Sequence, residues 1–117
     1  MIDGEPDKII IVEGKTDKQQ LEKIITEEVT IICTHGTLGV ERFDELLEVY
    51  QLDDHDVYIM ADEDEAGWKL RKQLQRELPH AEHIYIQKDY KEVATTPEDE
   101  LAYALLSKNI EVNPIFL

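Results

Sequence analysis

The amino-acid sequence predicts an α/β domain: a four-stranded parallel sheet of order 2-1-3-4, with helices on both faces in a three-layer, Rossmann-like arrangement. Three observations predict it. Short β-branched runs alternate with helical apolar stripes, four of each, in the order β-α-β-α-β-α-β-α. The strand runs are largely apolar rather than apolar on alternate residues, the pattern of a sheet covered on both sides. Right-handed crossovers then leave few topologies, and 117 residues is the length of one domain.

Each element has its own signal. The first strand is expected at 8–12. Leu21, Ile24 and Ile25 then form a helical stripe, with Thr16 three residues before Gln19 at capping-box spacing. A second strand at 30–33 precedes the stripe Phe43, Leu46, Leu47, Tyr50. A third at 57–60 precedes Leu70, Leu74, Leu78. A fourth at 83–86 precedes Leu101, Ala104, Leu105, and Thr96-Pro97-Glu98-Asp99 reads as a cap with proline at the first helical position. Pro6, Pro79, Pro97 and Pro114 all fall at element edges. The expectation is one domain over 1–117, with its motif-bearing core at about 8–90 and a C-terminal helix at about 97–107.

Composition narrows the function classes. Twelve Lys and Arg stand against 27 Asp and Glu, a net charge of −15. That argues against a protein that coats a long duplex unaided, because such binding rests on cations neutralising phosphates. No apolar run is long enough to span a membrane. The segment Met1-Ile2-Asp3-Gly4-Glu5 lacks the basic start of a secretory signal. The single cysteine, Cys33, forms no internal disulfide and belongs to no zinc-ligand spacing, so a reduced, cytoplasmic setting without a membrane is expected.

In an open parallel sheet of this order the ligand site lies beyond the carboxyl ends of strands 1 and 3, where the strand order switches. Glu13-Gly14-Lys15 follows strand 1 and Asp62-Glu63-Asp64-Glu65-Ala66-Gly67 follows strand 3. Residues i and i+2 of extended backbone point the same way. Asp62 and Asp64 are therefore expected to converge, with Glu63 turned away and Glu13 arriving from the neighbouring strand. Converging carboxylates repel unless a proton or cation lies between them, and a hard divalent ion, Mg²⁺ or Mn²⁺, suits such oxygen donors. Gly14 and Gly67 let the backbone turn sharply or a substrate approach, Gly36 shapes the turn after strand 2, and Lys15 offers a point charge for phosphate.

Lesser candidates sit on the same rim. Asp17 is either a further metal residue or a helix-dipole partner. Thr34-His35-Gly36-Thr37 and Lys88-Asp89 follow strands 2 and 4, and Asp89 is a candidate extra ligand. Lys69, Arg71, Lys72 and Arg76 are expected on the third helix, away from its leucine stripe, either as a phosphate-contacting face or as ordinary helix cations. Trp68 is expected as a partly buried core indole rather than a base-stacking group, and Glu63 and Glu65 as solvated dipole partners.

At these residues the sequence resembles the Toprim domain family of topoisomerases, bacterial primases, recombination-repair proteins, nucleases and ribosomal-RNA maturases. The motifs are Ile10-Ile11-Val12-Glu13-Gly14-Lys15-Thr16-Asp17 and Ile59-Met60-Ala61-Asp62-Glu63-Asp64-Glu65-Ala66-Gly67, and they are most similar to the maturase and primase branches. The resemblance covers 8 to about 90. It implies Glu13 as general acid/base and metal contact, Asp62 and Asp64 as Mg²⁺ ligands, and a role in phosphoryl transfer or phosphodiester hydrolysis on nucleic acid. Position 65, often basic or aromatic in relatives, is Glu, and no topoisomerase tyrosine can be assigned.

Three functional expectations result. The first is a small Mg²⁺-dependent, nuclease-like Toprim protein acting in RNA processing or related nucleic-acid metabolism on RNA or a short single strand. The second is a non-catalytic Mg²⁺-binding accessory subunit docked on a basic partner protein. The third is a phospho-receiver-like domain, which would need a fifth βα unit that this chain lacks.

Overall fold

A computed structural model of the chain describes residues 8–36 and 38–117. Met1 to Glu5, Pro6 and Thr37 lie outside them. The elements run β1 (Lys8–Val12), α1 (Lys15–Ile24), β2 (Val29–Cys33), α2 (Val40–Val49), β3 (Asp56–Met60), α3 (Glu65–Glu77), β4 (Glu82–Ile84) and α4 (Glu98–Leu106), with 3₁₀ turns at Leu52–Asp54 and Pro114–Phe116. The sheet order is β2-β1-β3-β4 and every pairing is parallel, as expected. Ile10 sits opposite Ile31 on one side and Tyr58 on the other.

Alternation along each strand divides the core. Ile9, Ile11, Val57, Ile59 and Ala61 pack with Phe43 of α2 and Leu70, Leu74 and Leu78 of the α3 stripe. Ile10, Val12, Tyr58 and Met60 face the other way, against Leu21 and Ile24 of α1 and Leu101, Ala102 and Leu105 of α4. Burying each large side chain stabilises by about 1.5–3 kcal/mol, so both faces of the sheet hold their helices. Among the described residues no helix is long and apolar enough to cross a membrane.

The structure corrects several local expectations. Thr16 is not the cap of α1. Gly14 is, in extended backbone, and the Asp17 carboxylate accepts the Gly14 N–H at 3.1 Å. The capping partner three residues on is therefore Asp17, and Thr16 lies exposed inside the first turn. Pro97 is the cap of α4 rather than its first residue. Thr96 is buried and its hydroxyl donates to the Glu92 carbonyl at 2.6 Å, tying the preceding turn instead of the helix end. β4 is shorter than expected, because the chain leaves β3 after Ile84.

The chain after α4 has a place that periodicity did not reveal. Ile25 and Val112 form an isolated antiparallel bridge. Thr26 N–H donates to the Glu111 carbonyl at 3.0 Å and Asn113 N–H to the Ile24 carbonyl at 2.9 Å. Lys8 Nζ binds both Glu27 carboxylate oxygens, at 3.0 and 3.2 Å, and the Asn109 carbonyl at 2.8 Å. These contacts gather at the amino end of β1, the pole opposite Glu13 and Asp62.

Candidate metal centre

Adjacent parallel strands β1 and β3 end side by side and deliver Glu13 and Asp62 to one point. Glu13 Oε2 accepts the Asp62 N–H at 3.3 Å. Asp62 Oδ1 accepts the Val93 N–H at 2.8 Å, and Glu63 N–H donates to the Lys91 carbonyl at 2.6 Å. The segment between β4 and α4 is thereby drawn over the strand ends. Asp17, buried in the first turn of α1, completes the group. One carboxylate oxygen from each of Glu13, Asp17 and Asp62 lies within 4.8 Å of the others.

Asp64 is placed differently from the convergence expected of an i, i+2 pair. It is exposed, and its Oδ1 caps α3 by accepting the Gly67 N–H at 2.8 Å. The abrupt start of α3 turns this carboxylate toward the helix end, and Asp17 occupies the third place in the cluster. Asp89 is exposed in a turn and outside the cluster.

The electrostatics follow from crowding. Burial, a side-chain hydrogen bond with Asp62, and the charges of Asp62 and Asp64 push the Glu13 carboxyl up to about 7. Burial, then the charge of Asp62, also raises Asp17 above the usual carboxylate range. Three half-buried or buried carboxylates held this close disfavour full ionisation unless a cation joins them. All-oxygen, acidic donors suit a hard divalent ion, so these three residues form a group that could hold a metal.

The glycines divide by role. A Cβ on Gly67 would lie 2.0 Å from the Asp62 carbonyl oxygen, so this glycine permits α3 to abut the backbone of Asp62. Gly36 has φ +110° and shapes the turn after β2. At Gly14 an added Cβ would meet only Asp17 Oδ2, at 3.8 Å.

The surrounding polar residues depart from expectation in three places. Arg71 is 1% exposed and not on an open cationic face. Its Nη1 donates to the Ile59 carbonyl at 3.2 Å, and its Nη2 donates to those of Ala61 and Ile84 at 3.1 and 2.8 Å. Trp68, expected as a partly buried core indole, is 42% exposed. Glu63, expected in solvent, has a buried Oε2 with no hydrogen-bond partner. Lys15 is exposed and joins Lys18, His35 and Arg42 around a cavity of about 480 Å³ at the β2 edge.

This sheet, with an acidic cluster at its switch point, defines a Toprim-type α/β domain. The Toprim domain model matches residues 8–92, and the chain belongs to that family. It is 48% identical over 113 residues to YusF of Bacillus subtilis (strain 168), described as an uncharacterized protein; the match covers 97% of this chain and 76% of that one. A solved small TOPRIM domain protein from Bacillus stearothermophilus is 45% identical, with a TM-score of 0.88 over 96% of this chain and 93% of that one. Ribonuclease M5 of Mycoplasma pneumoniae (strain ATCC 29342 / M129 / Subtype 1) is 33% identical over 90 residues. That match covers 76% of this chain and 49% of the ribonuclease, so the chain spans about half its length.

Proposed function

We propose that the protein carries out phosphoryl transfer or phosphodiester cleavage on nucleic acid with a divalent metal, Mg²⁺ or Mn²⁺, in a cytoplasmic setting. The observation that carries this is the meeting of Glu13, Asp17 and Asp62 within 4.8 Å at the switch point of a Toprim sheet. The 33% identity to a ribonuclease supports RNA as the substrate. Asp62 and Asp17 would hold the metal, with Glu13 contacting it, and Asp64 would contribute through the oxygen that its cap bond leaves free. When bound, the ion would neutralise charge on the reacting phosphate. Glu13, with its carboxyl poised near 7, is the group suited to accept or give a proton at Oε1 or Oε2. Lys15, two residues after Glu13, would supply a point charge for phosphate on the same rim.

The test is cleavage of short end-labelled single-stranded RNA and DNA with Mg²⁺. Glu13→Gln and Asp62→Asn should each lower the rate about 100-fold or more. Asp64→Asn keeps a competent helix cap, so its loss of rate would report the carboxylate charge rather than the fold. The overall acidity favours a second reading, a non-catalytic accessory subunit on a basic partner. Wild-type protein that binds Mg²⁺ yet cleaves none of these strands would select it.

A pH dependence also follows. Metal binding requires ionised carboxylates, and Glu13 loses its proton only near 7. Mg²⁺ affinity measured by calorimetry should therefore rise about tenfold between pH 6 and pH 8, and Glu13→Gln should flatten the profile. Without metal the sign reverses. The folded value lies above the ordinary 4.5, so the fold binds the extra proton, and Glu13's contribution to stability falls as pH climbs from 4.5 to about 7.

A further inference from the structure

The cations of this acidic chain are unevenly placed. α3 carries four of the twelve Lys and Arg but only two of the 27 Asp and Glu. Trp68, Lys72 and Arg76 are spaced four apart, so they line one row of the helix, and all three are exposed. Among the described residues neither Lys72 nor Arg76 forms an ion pair.

Aromatic rings stand at the head of this row. Trp68 stacks on Tyr85 with ring centres 6.1 Å apart and planes 28° apart. Tyr85 in turn stacks on His83 at 6.0 Å and 17°. Tyr85 is 52% exposed. The Arg71 guanidinium lies 4.4 Å from the Tyr85 ring centre and 5.8 Å from that of Trp68. The rings therefore cover a buried cation on one side and meet solvent on the other. The same guanidinium binds the carbonyl of Ala61, the residue before Asp62, so the aromatic row adjoins the carboxylate centre.

We propose that Trp68, Tyr85, Lys72 and Arg76 form a track for single-stranded nucleic acid. Unpaired bases stack on Trp68 and Tyr85, phosphates pass Lys72 and Arg76, and the strand reaches the carboxylates from the α3 side. This rests on the nucleic-acid reading above and adds the residues and path by which a single strand is held. Stacking on an aromatic ring contributes about 1–3 kcal/mol per base and tolerates any sequence. A duplex offers no free base faces, and its denser phosphates meet a surface of net charge −15. Two phosphate contacts predict a weak salt dependence, a slope of roughly −1.4 in log K against log salt.

Trp68 is the only tryptophan, so its emission reports the track directly. Single-stranded RNA and DNA of about eight nucleotides, the matching duplexes and an abasic strand would be titrated, with anisotropy giving affinity and Trp68 emission giving stacking. Base-bearing single strands should quench Trp68, and the abasic strand should not. Trp68→Ala should weaken binding about tenfold, while Trp68→Phe, which keeps a ring, should stay within about threefold of wild type. The exposed pair Lys72→Glu and Arg76→Glu should weaken binding and flatten the salt slope. A strand that binds with unchanged Trp68 emission and undiminished affinity for Trp68→Ala would overturn the track while leaving the nucleic-acid reading intact. Equal quenching by duplex, or shielding of Trp68 from acrylamide that grows with protein concentration, would also overturn it. Absence of binding by every oligonucleotide, with Mg²⁺ present, would remove the track and the nucleic-acid reading together.

Discussion

Gly67→Ala should destabilise the protein by about 3 kcal/mol and lower Tm by roughly 10 °C or more. The added methyl would sit 2.0 Å from the Asp62 carbonyl oxygen, 2.8 Å from its carbon and 3.0 Å from its nitrogen. These are backbone atoms, so no side chain can rotate out of the way. Either α3 lifts from the sheet or the end of β3 moves. Alanine's better helix propensity returns only about 1 kcal/mol. The displaced backbone carries Asp62, so Mg²⁺ affinity should fall along with stability. Gly14→Ala is the control. Gly14 has φ −136° and ψ 169°, ordinary extended backbone, and its methyl meets only Asp17 Oδ2 at 3.8 Å. That variant should lie within about 0.5 kcal/mol of wild type. Thermal melts of both variants, with and without Mg²⁺, check the pair; a wild-type Tm for Gly67→Ala would contradict the close approach of α3 to Asp62.

Arg71→Met should cost a similar amount, about 3–4 kcal/mol in urea denaturation. The guanidinium binds three carbonyls at the carboxyl ends of β3 and β4, those of Ile59, Ala61 and Ile84, and its Nη1 lies 3.1 Å from His83 Nδ1. Methionine fills much of the volume but donates nothing. Each buried carbonyl left without a donor costs about 1–3 kcal/mol, and the three losses overlap rather than add. Arg71→Lys should recover only part of the loss, since an ammonium cannot reproduce the planar fork. Because β4 pairs with β3 only from Glu82 to Ile84, the guanidinium is a principal tie between these strands beyond the ladder. The Met variant should therefore lose amide protection first at β4. Unchanged urea midpoints for both variants would show that the carbonyls find other donors.

The parallel sheet, its order and its helices were legible because each rests on a pattern running through an entire element. That Glu13 and Asp62 meet at neighbouring strand ends was legible because strand ends at a switch point are few. Residue type hides the burial of Arg71. It shares its charge with Lys69, Lys72 and Arg76, yet it lies three before Leu74 and seven before Leu78, the spacing of a core face. Asp17 is the third residue after Gly14, but the Thr16–Gln19 spacing offers a competing cap signal and hides that Asp17 is tied to Gly14 and lies beside Glu13. The rotamer of Asp64 follows from where α3 begins, a boundary that sequence fixes only to a residue or two. Trp68 stacks on Tyr85, seventeen positions away and beyond β4, and helical periodicity carries no information about such a pairing.

The bridge of Ile25 to Val112 and the bond of Lys8 to Asn109 fix residues 109–112 at the pole opposite the carboxylates. A linker attached through the exposed side chain at Glu111 would leave the molecule from that pole. Immobilised through it on a sensor chip or bead, the protein would present Trp68, Tyr85 and the acidic centre outward. That pole is thus the attachment point from which oligonucleotide capture can be measured without obstructing the rim.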